Sequence, residues 1–217
     1  MADHIQEKYN DLFSKYGKSN KSLGWGEKER SNLRFSMLTS EWDLSGKKVL
    51  DFGCGFGALK EYIITHKTDN FEYVGIDLNE NFIATANETN RFDKATFKVQ
   101  DILTEPLQEK SFDYAFVSGT FNDFRENNYA FVEQVLQSLD KLTTKGVAIN
   151  FLSSYAEIHY PHASYFDPSV ILKLVYPISK NIILRNDYMP YEFTVLINKA
   201  AEIDADITVY KSHVSFL

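Results

Sequence analysis

Apolar positions follow two rhythms along this chain. Short apolar runs at Lys48–Phe52, Phe71–Ile76, Ala95–Val99, Phe112–Val117 and Gly146–Phe151 read as strands. Between them, Gly57–His66, Asn79–Thr89 and Asn128–Leu142 carry helical spacing, as with Phe131, Val135, Leu139 and Leu142. Strands separated by helices predict a doubly wound α/β fold: a mainly parallel sheet with helices on both faces. The pattern changes toward the end. Asn181–Arg185 and Phe193–Ile197 are β-rich and joined by a short loop, which predicts an antiparallel hairpin. The start differs too. Residues 4–16 place Ile5, Tyr9, Leu12, Phe13 and Tyr16 on one helical side, and a second helix is predicted over about residues 27–39. Residues 17–26, between them, hold three glycines and Trp25. Residues 1–40 therefore read as a helical lid attached to the sheet.

Composition narrows this picture. A chain of 217 residues fits a single domain over 1–217, with the lid at 1–40, a core at 46–152 and a substrate-side loop and hairpin at 153–217. The net charge of −7 disfavours a surface that grips nucleic acid or anionic lipid as a whole. It is unevenly spread, since residues 15–34 carry six Lys/Arg against Glu27 and Glu29. Cys54 is the sole cysteine, so no disulfide forms within the chain, and a reducing, cytoplasmic setting fits. No apolar run approaches the ~18–20 residues of a membrane span, and Met1-Ala2-Asp3-His4 does not open a signal peptide.

The strongest chemical signal is Asp51-Phe52-Gly53-Cys54-Gly55-Phe56-Gly57, where a strand hands over to a helix. Glycines let a backbone turn sharply and approach a ligand closely. Ligands of doubly wound sheets bind at the carboxyl ends of the strands, beside such turns. A dinucleotide would bring its pyrophosphate there, and the Asp51 carboxylate would repel it. A cationic ammonium or sulfonium would be attracted instead. S-adenosylmethionine carries both, so Asp51 favours it over NAD. The competing reading is that Asp51 caps the turn. Asp77 ends the second strand beside Leu78 and suits the hydroxyls of a ribose. Its competing reading is an N-cap for the helix that follows. Asp101 follows the third strand, where a carboxylate suits an adenine amino group and Ile102 the ring.

An acid after each of three successive strands, with Asp51-x-Gly53-x-Gly55-x-Gly57, resembles the class I S-adenosylmethionine-dependent methyltransferases. The resemblance spans residues 46–152 by motif. It implies a seven-stranded Rossmann-like sheet whose final hairpin is antiparallel. It further implies that the glycine loop nears the methionine part of the cofactor, that Asp77 holds the ribose and that Asp101 lies near the adenine. Ser118, in the segment after the fourth strand, then passes beside cofactor and substrate. That segment lacks the Asn/Asp-Pro-Pro-Tyr/Phe signature of enzymes that methylate nucleic-acid bases, which speaks against DNA as a substrate.

Methyl transfer chiefly needs alignment, dryness and, for a hydroxyl, help with proton loss. His159 and His162, after the fifth strand, and Tyr188, in the hairpin loop, are the candidate proton acceptors. The two histidines with Asp167 make a weak metal pattern, and no metal is expected. In the lid, Arg34 suits the cofactor carboxylate and Trp25 would cover the site. The expected activity is methylation of a hydroxyl or amine on a small-molecule or sugar-like acceptor. RNA or protein methylation, prompted by the basic segment, and a non-catalytic cofactor-binding scaffold are the alternatives. The tail from Asp204 alternates mildly and would extend the sheet or join a second copy in a homodimer.

Overall fold

The computed structural model describes residues 2–24 and 28–216, without the side chains of 2, 3, 28 and 216. Two helices, α1 (Ala2–Tyr16) and α2 (Lys28–Leu38), precede the sheet. There follow β1 (Lys47–Phe52), α3 (Ala58–His66), β2 (Phe71–Asp77), α4 (Glu80–Thr89), β3 (Ala95–Val99) and β4 (Phe112–Val117). Then come α5 (Asn128–Leu142), β5 (Thr143–Leu152), α6 (Pro168–Val175), β6 (Ile182–Arg185) and β7 (Glu192–Asn198). Seven strands form one sheet in the order β3-β2-β1-β4-β5-β7-β6. Neighbours from β3 to β5 run parallel, and β7 lies antiparallel between β5 and β6. The predicted doubly wound sheet with a terminal antiparallel hairpin is the observed one.

Alternation along the strands divides the core into two layers. Leu50, Ala115, Val117, Val147 and Ile149 pack with residues of α5 and α6. Val49, Tyr114, Phe116 and Ala148 pack with residues of α2, α3 and α4 on the other face. Each fully buried Leu, Val or Phe contributes about 1.5–3 kcal/mol relative to exposure. Helix starts are written locally. The Asn79 side chain accepts from Phe82 N at 3.1 Å, and that of Asn127 accepts from Ala130 N at 3.2 Å.

Two expectations change. Helix α6 was not foreseen. Asp167 caps it by accepting from Ser169 N at 2.7 Å, and Pro168 opens its first turn. The tail does not extend the large sheet. It folds on itself as the short pair β8 (Ile203–Asp204) and β9 (Val209–Tyr210), followed by a 3-10 turn at Lys211–Phe216.

Candidate active site

The carboxyl ends of β1, β2 and β4 meet at the turn Gly53–Gly57. Gly53 has φ +75°, and a Cβ there would lie 2.1 Å from Thr120 Oγ1. Only glycine lets the turn after β1 pass so close to the turn after β4. Thr120 Oγ1 in turn donates to Phe52 O at 3.0 Å, fastening the two turns together. At Gly55 a Cβ would lie 2.8 Å from Leu23 of the N-terminal segment.

A cavity opens beside this turn. Its lining includes Asp51, Gly53, Gly55, Asp77, Leu78 and Ser118. Asp51 is 3% exposed and accepts from the Tyr73 hydroxyl at 2.5 Å. The bond runs sideways to β2 and not forward into the turn, so Asp51 is not a turn cap. Burial pushes its carboxyl up to about 7, the Tyr73 bond pulls it down, and the Asp77 charge adds to the rise. Asp77 accepts from Gly55 N and from Asn79 N, each at 2.9 Å. Helix α4 is capped by Asn79, which leaves Asp77 facing the cavity and the glycine turn. Burial also raises the Asp77 carboxyl, against the backbone N–H groups of Asn79, Gly55 and Leu78. A carboxylate offers about four acceptor positions, so at least one remains for a ligand beside these three N–H groups. Ser118 Oγ is buried and has no hydrogen-bond partner among the described residues.

Helix α1 covers this cavity. Ile5, Gln6 and Tyr9 line it. Gln6 donates to Leu78 O at 3.0 Å, and the Asn10 side chain accepts from Asn79 Nδ2 at 2.8 Å. Lys8 Nζ and the Tyr9 hydroxyl bind the two oxygens of Asp123 at 2.6 and 2.7 Å. Burial, then the Asp123 carboxylate, push the Tyr9 phenol well up. Phe13 packs on Phe56 and Phe82.

Other predicted residues lie elsewhere. Gly57, at φ +80°, packs its Cα side toward Phe97 and ends the turn behind the cavity. Gln100 lines the cavity where Asp101 and Ile102 were expected. Asp101 accepts from Leu103 N at 2.9 Å, and Ile102 is buried in the core layer with α5. Arg34 is bound to Glu192 and is not part of the lining. His159 stacks on Tyr165 with ring centres 4.0 Å apart and is exposed, as is His162. The Tyr188 hydroxyl pairs with Thr194 Oγ1 at 2.8 Å. None of these three lines the cavity. Trp25 lies outside the described residues.

Arg125 was missed. It lines the cavity with its guanidinium 4.0 Å over the Phe131 ring, and its Nε is buried with no hydrogen-bond partner among the described residues. Nothing in the sequence set it apart from other loop cations. Asp123 and Tyr9 stood in the predicted loop and lid, but their pairing spans 114 positions and was invisible.

These features define an α/β protein with an acid-lined ligand cavity at the glycine turn. Residues 43–178 match the methyltransferase domain family. A Mycobacterium tuberculosis protein that carries a methyltransferase name is 31% identical over 162 residues, covering 70% of this chain and 93% of that protein. Juvenile hormone acid O-methyltransferase of Bombyx mori is 30% identical over 95 residues, 42% of this chain and 34% of that enzyme. Among solved structures, magnesium protoporphyrin IX methyltransferase from Synechocystis PCC 6803 with bound SAH has a TM-score of 0.64 at 15% identity, over 92% of this chain and 100% of that chain. A SAM-dependent methyltransferase from Aquifex aeolicus gives 0.59 at 16% identity, over 80% and 94%. The chain belongs to the methyltransferase domain family, as an enzyme of the class I S-adenosylmethionine-dependent type. Among the described residues no helix is long and apolar enough to cross a membrane.

Proposed function

We propose that this chain transfers the methyl group of S-adenosylmethionine to a hydroxyl or amine of a small-molecule or sugar-like acceptor. The observation that carries the cofactor reading is one cavity lined by Asp51, Asp77 and the glycine turn together. The fit is physical. Asp51 offers a buried anion to the cofactor's ammonium. Asp77 keeps an acceptor position for a ribose hydroxyl, and Ser118 Oγ brings a hydroxyl without a partner among the described residues to the same wall. When bound, the cofactor supplies a methyl group already activated by its sulfonium. The chain's own part is to align the acceptor and exclude water. Helix α1 serves the second task through Tyr9 and Ile5 in the cavity lining.

The fate of the basic segment favours a small acceptor over RNA. Arg34 is buried against Glu192, so this cation of the segment is withdrawn from phosphates. Calorimetry with S-adenosylhomocysteine and with NAD tests the cofactor reading. Binding of the first alone is expected, and binding of NAD alone would overturn it. Methyl transfer from labelled S-adenosylmethionine to hydroxyl and amine acceptors, set against total RNA, tests the acceptor class.

A further inference from the structure

The structure holds a buried relay that the cofactor reading does not use. Arg34 Nε, on α2, donates to Glu192 Oε1 and Oε2 at 2.8 and 2.7 Å, and Nη2 also donates to Oε1. Glu192 opens β7, and the two residues are 8% and 1% exposed. Asn150, fully buried on β5, donates from Nδ2 to Glu192 Oε2 at 3.4 Å. Its Oδ1 accepts from Gly119 N at 2.9 Å. Gly119 sits at φ +75° between Ser118 and Thr120, all three lining the cavity. The chain of contacts thus runs from the N-terminal segment, through the sheet, to the turn that abuts Gly53.

A buried ion pair is weak evidence for stability, because desolvation offsets its attraction. An apolar pair of similar size would hold α2 on the sheet as well. What an apolar pair does not do is orient Asn150. The Glu192 carboxylate fixes which end of the Asn150 amide faces Gly119: its Nδ2 must point at the anion, so Oδ1 must point at the Gly119 N–H. We propose that Glu192 is a positioning residue for the methyltransferase site. It orients Asn150, which holds the 118–120 turn, with the Ser118 hydroxyl, in register with the glycine turn. This rests on the functional reading above, because the turn it sets is the proposed cofactor wall.

The test uses the whole chain as wild type, Glu192→Gln, Asn150→Leu and the double variant Arg34→Met/Glu192→Met. Three quantities are measured: the thermal midpoint, the affinity for S-adenosylhomocysteine, and exchange of the Gly119 amide in the free protein. Glu192→Gln and Asn150→Leu should each weaken binding by about tenfold, the worth of a lost hydrogen bond in a charged network. Gly119 exchange should quicken in both. The double variant is the discriminating arm. Removing both charges should restore the midpoint toward wild type, while affinity and Gly119 protection stay as low as in Asn150→Leu. Recovery of affinity together with the midpoint would reduce the pair to a structural contact and overturn the proposal. Wild-type affinity and wild-type Gly119 exchange in Asn150→Leu would overturn it too. Glu192→Gln is isosteric and decides the matter on the same two readouts if Asn150→Leu does not fold. A wild type that fails to bind S-adenosylhomocysteine sinks the functional reading instead, and Gly119 exchange still judges the relay.

Discussion

The Tyr73 hydroxyl donates to the Asp51 carboxylate at 2.5 Å, joining the second strand to the first beneath the cavity. The bond favours the ionised form of a group that burial otherwise pushes up to about 7. Its consequence is a pH dependence with two opposite signs. A carboxyl raised from 3.8 to about 7 holds a proton in the folded state that the unfolded chain has lost. Stability from this group is therefore greatest at acidic pH and declines as pH rises through about 4 to about 7. A cationic cofactor wants the ionised form, so its affinity should rise across the upper part of that window, with release of a proton. Calorimetry in buffers of different ionisation enthalpy checks both. Affinity that is flat from about pH 6 to about pH 8 would count against Asp51 as the ammonium partner.

Tyr73→Phe removes the bond that lowers the Asp51 pKa. The rise of cofactor affinity should move to higher pH, and affinity near neutrality should fall. An unmoved profile would show that the bond does not set the ionisation of Asp51.

Asp77→Asn removes the anion at the tip of β2 and disturbs acceptors for Gly55 N and Asn79 N. Affinity for S-adenosylhomocysteine should drop by about ten- to a hundredfold, as for one or two hydrogen bonds to a charged group. Unchanged affinity would remove Asp77 from the ribose.

Gly53→Ala forces a Cβ onto Thr120 Oγ1 at a positive φ. The combined clash and backbone strain should cost about 1–3 kcal/mol of stability. Adding Thr120→Ala should return the part due to the clash and leave the part due to φ. Denaturant unfolding of the two variants separates these.

Asp123→Asn weakens the hold of Lys8 and Tyr9 and should loosen α1. Dissociation of S-adenosylhomocysteine should quicken by about tenfold, in line with the loss of charged hydrogen bonds. Stopped-flow release measures it, and a wild-type rate would mean that α1 does not gate the cavity.

The sheet was legible because each core strand announces itself by a short apolar run and each helix by its period. The glycine turn, Asp51 and Asp77 were legible for the same reason: their chemistry is local, within a few residues of a strand end. Helix α6 was overlooked because its eight residues are too short for a clear period, although Asp167-Pro168 is a proper start signal. The partners of Arg34, Tyr9 and Lys8 were hidden for a different reason. A cation in a helix shows its charge in the sequence, but the carboxylate it meets is set by tertiary packing. Arg34 therefore looked like a ligand group and proved to be bonded inside the protein to Glu192. Asp101 follows the strand rhythm, yet its carboxylate accepts from Leu103 N in the turn that begins after it, and Gln100, next to the end of β3, lines the cavity.

The same Arg34–Glu192 contact bears on how the chain is made. Arg34 is synthesised 158 positions before its carboxylate. β7 must also slot between two strands that both precede it in synthesis, β5 and β6. A ribosome-bound chain that has not reached residue 192 holds a guanidinium with no place to be buried and a β4 turn with no Asn150 brace in its final orientation. Neither the Arg34–Glu192 pair nor the bond from Asn150 to Glu192 can form before residue 192 has been synthesised.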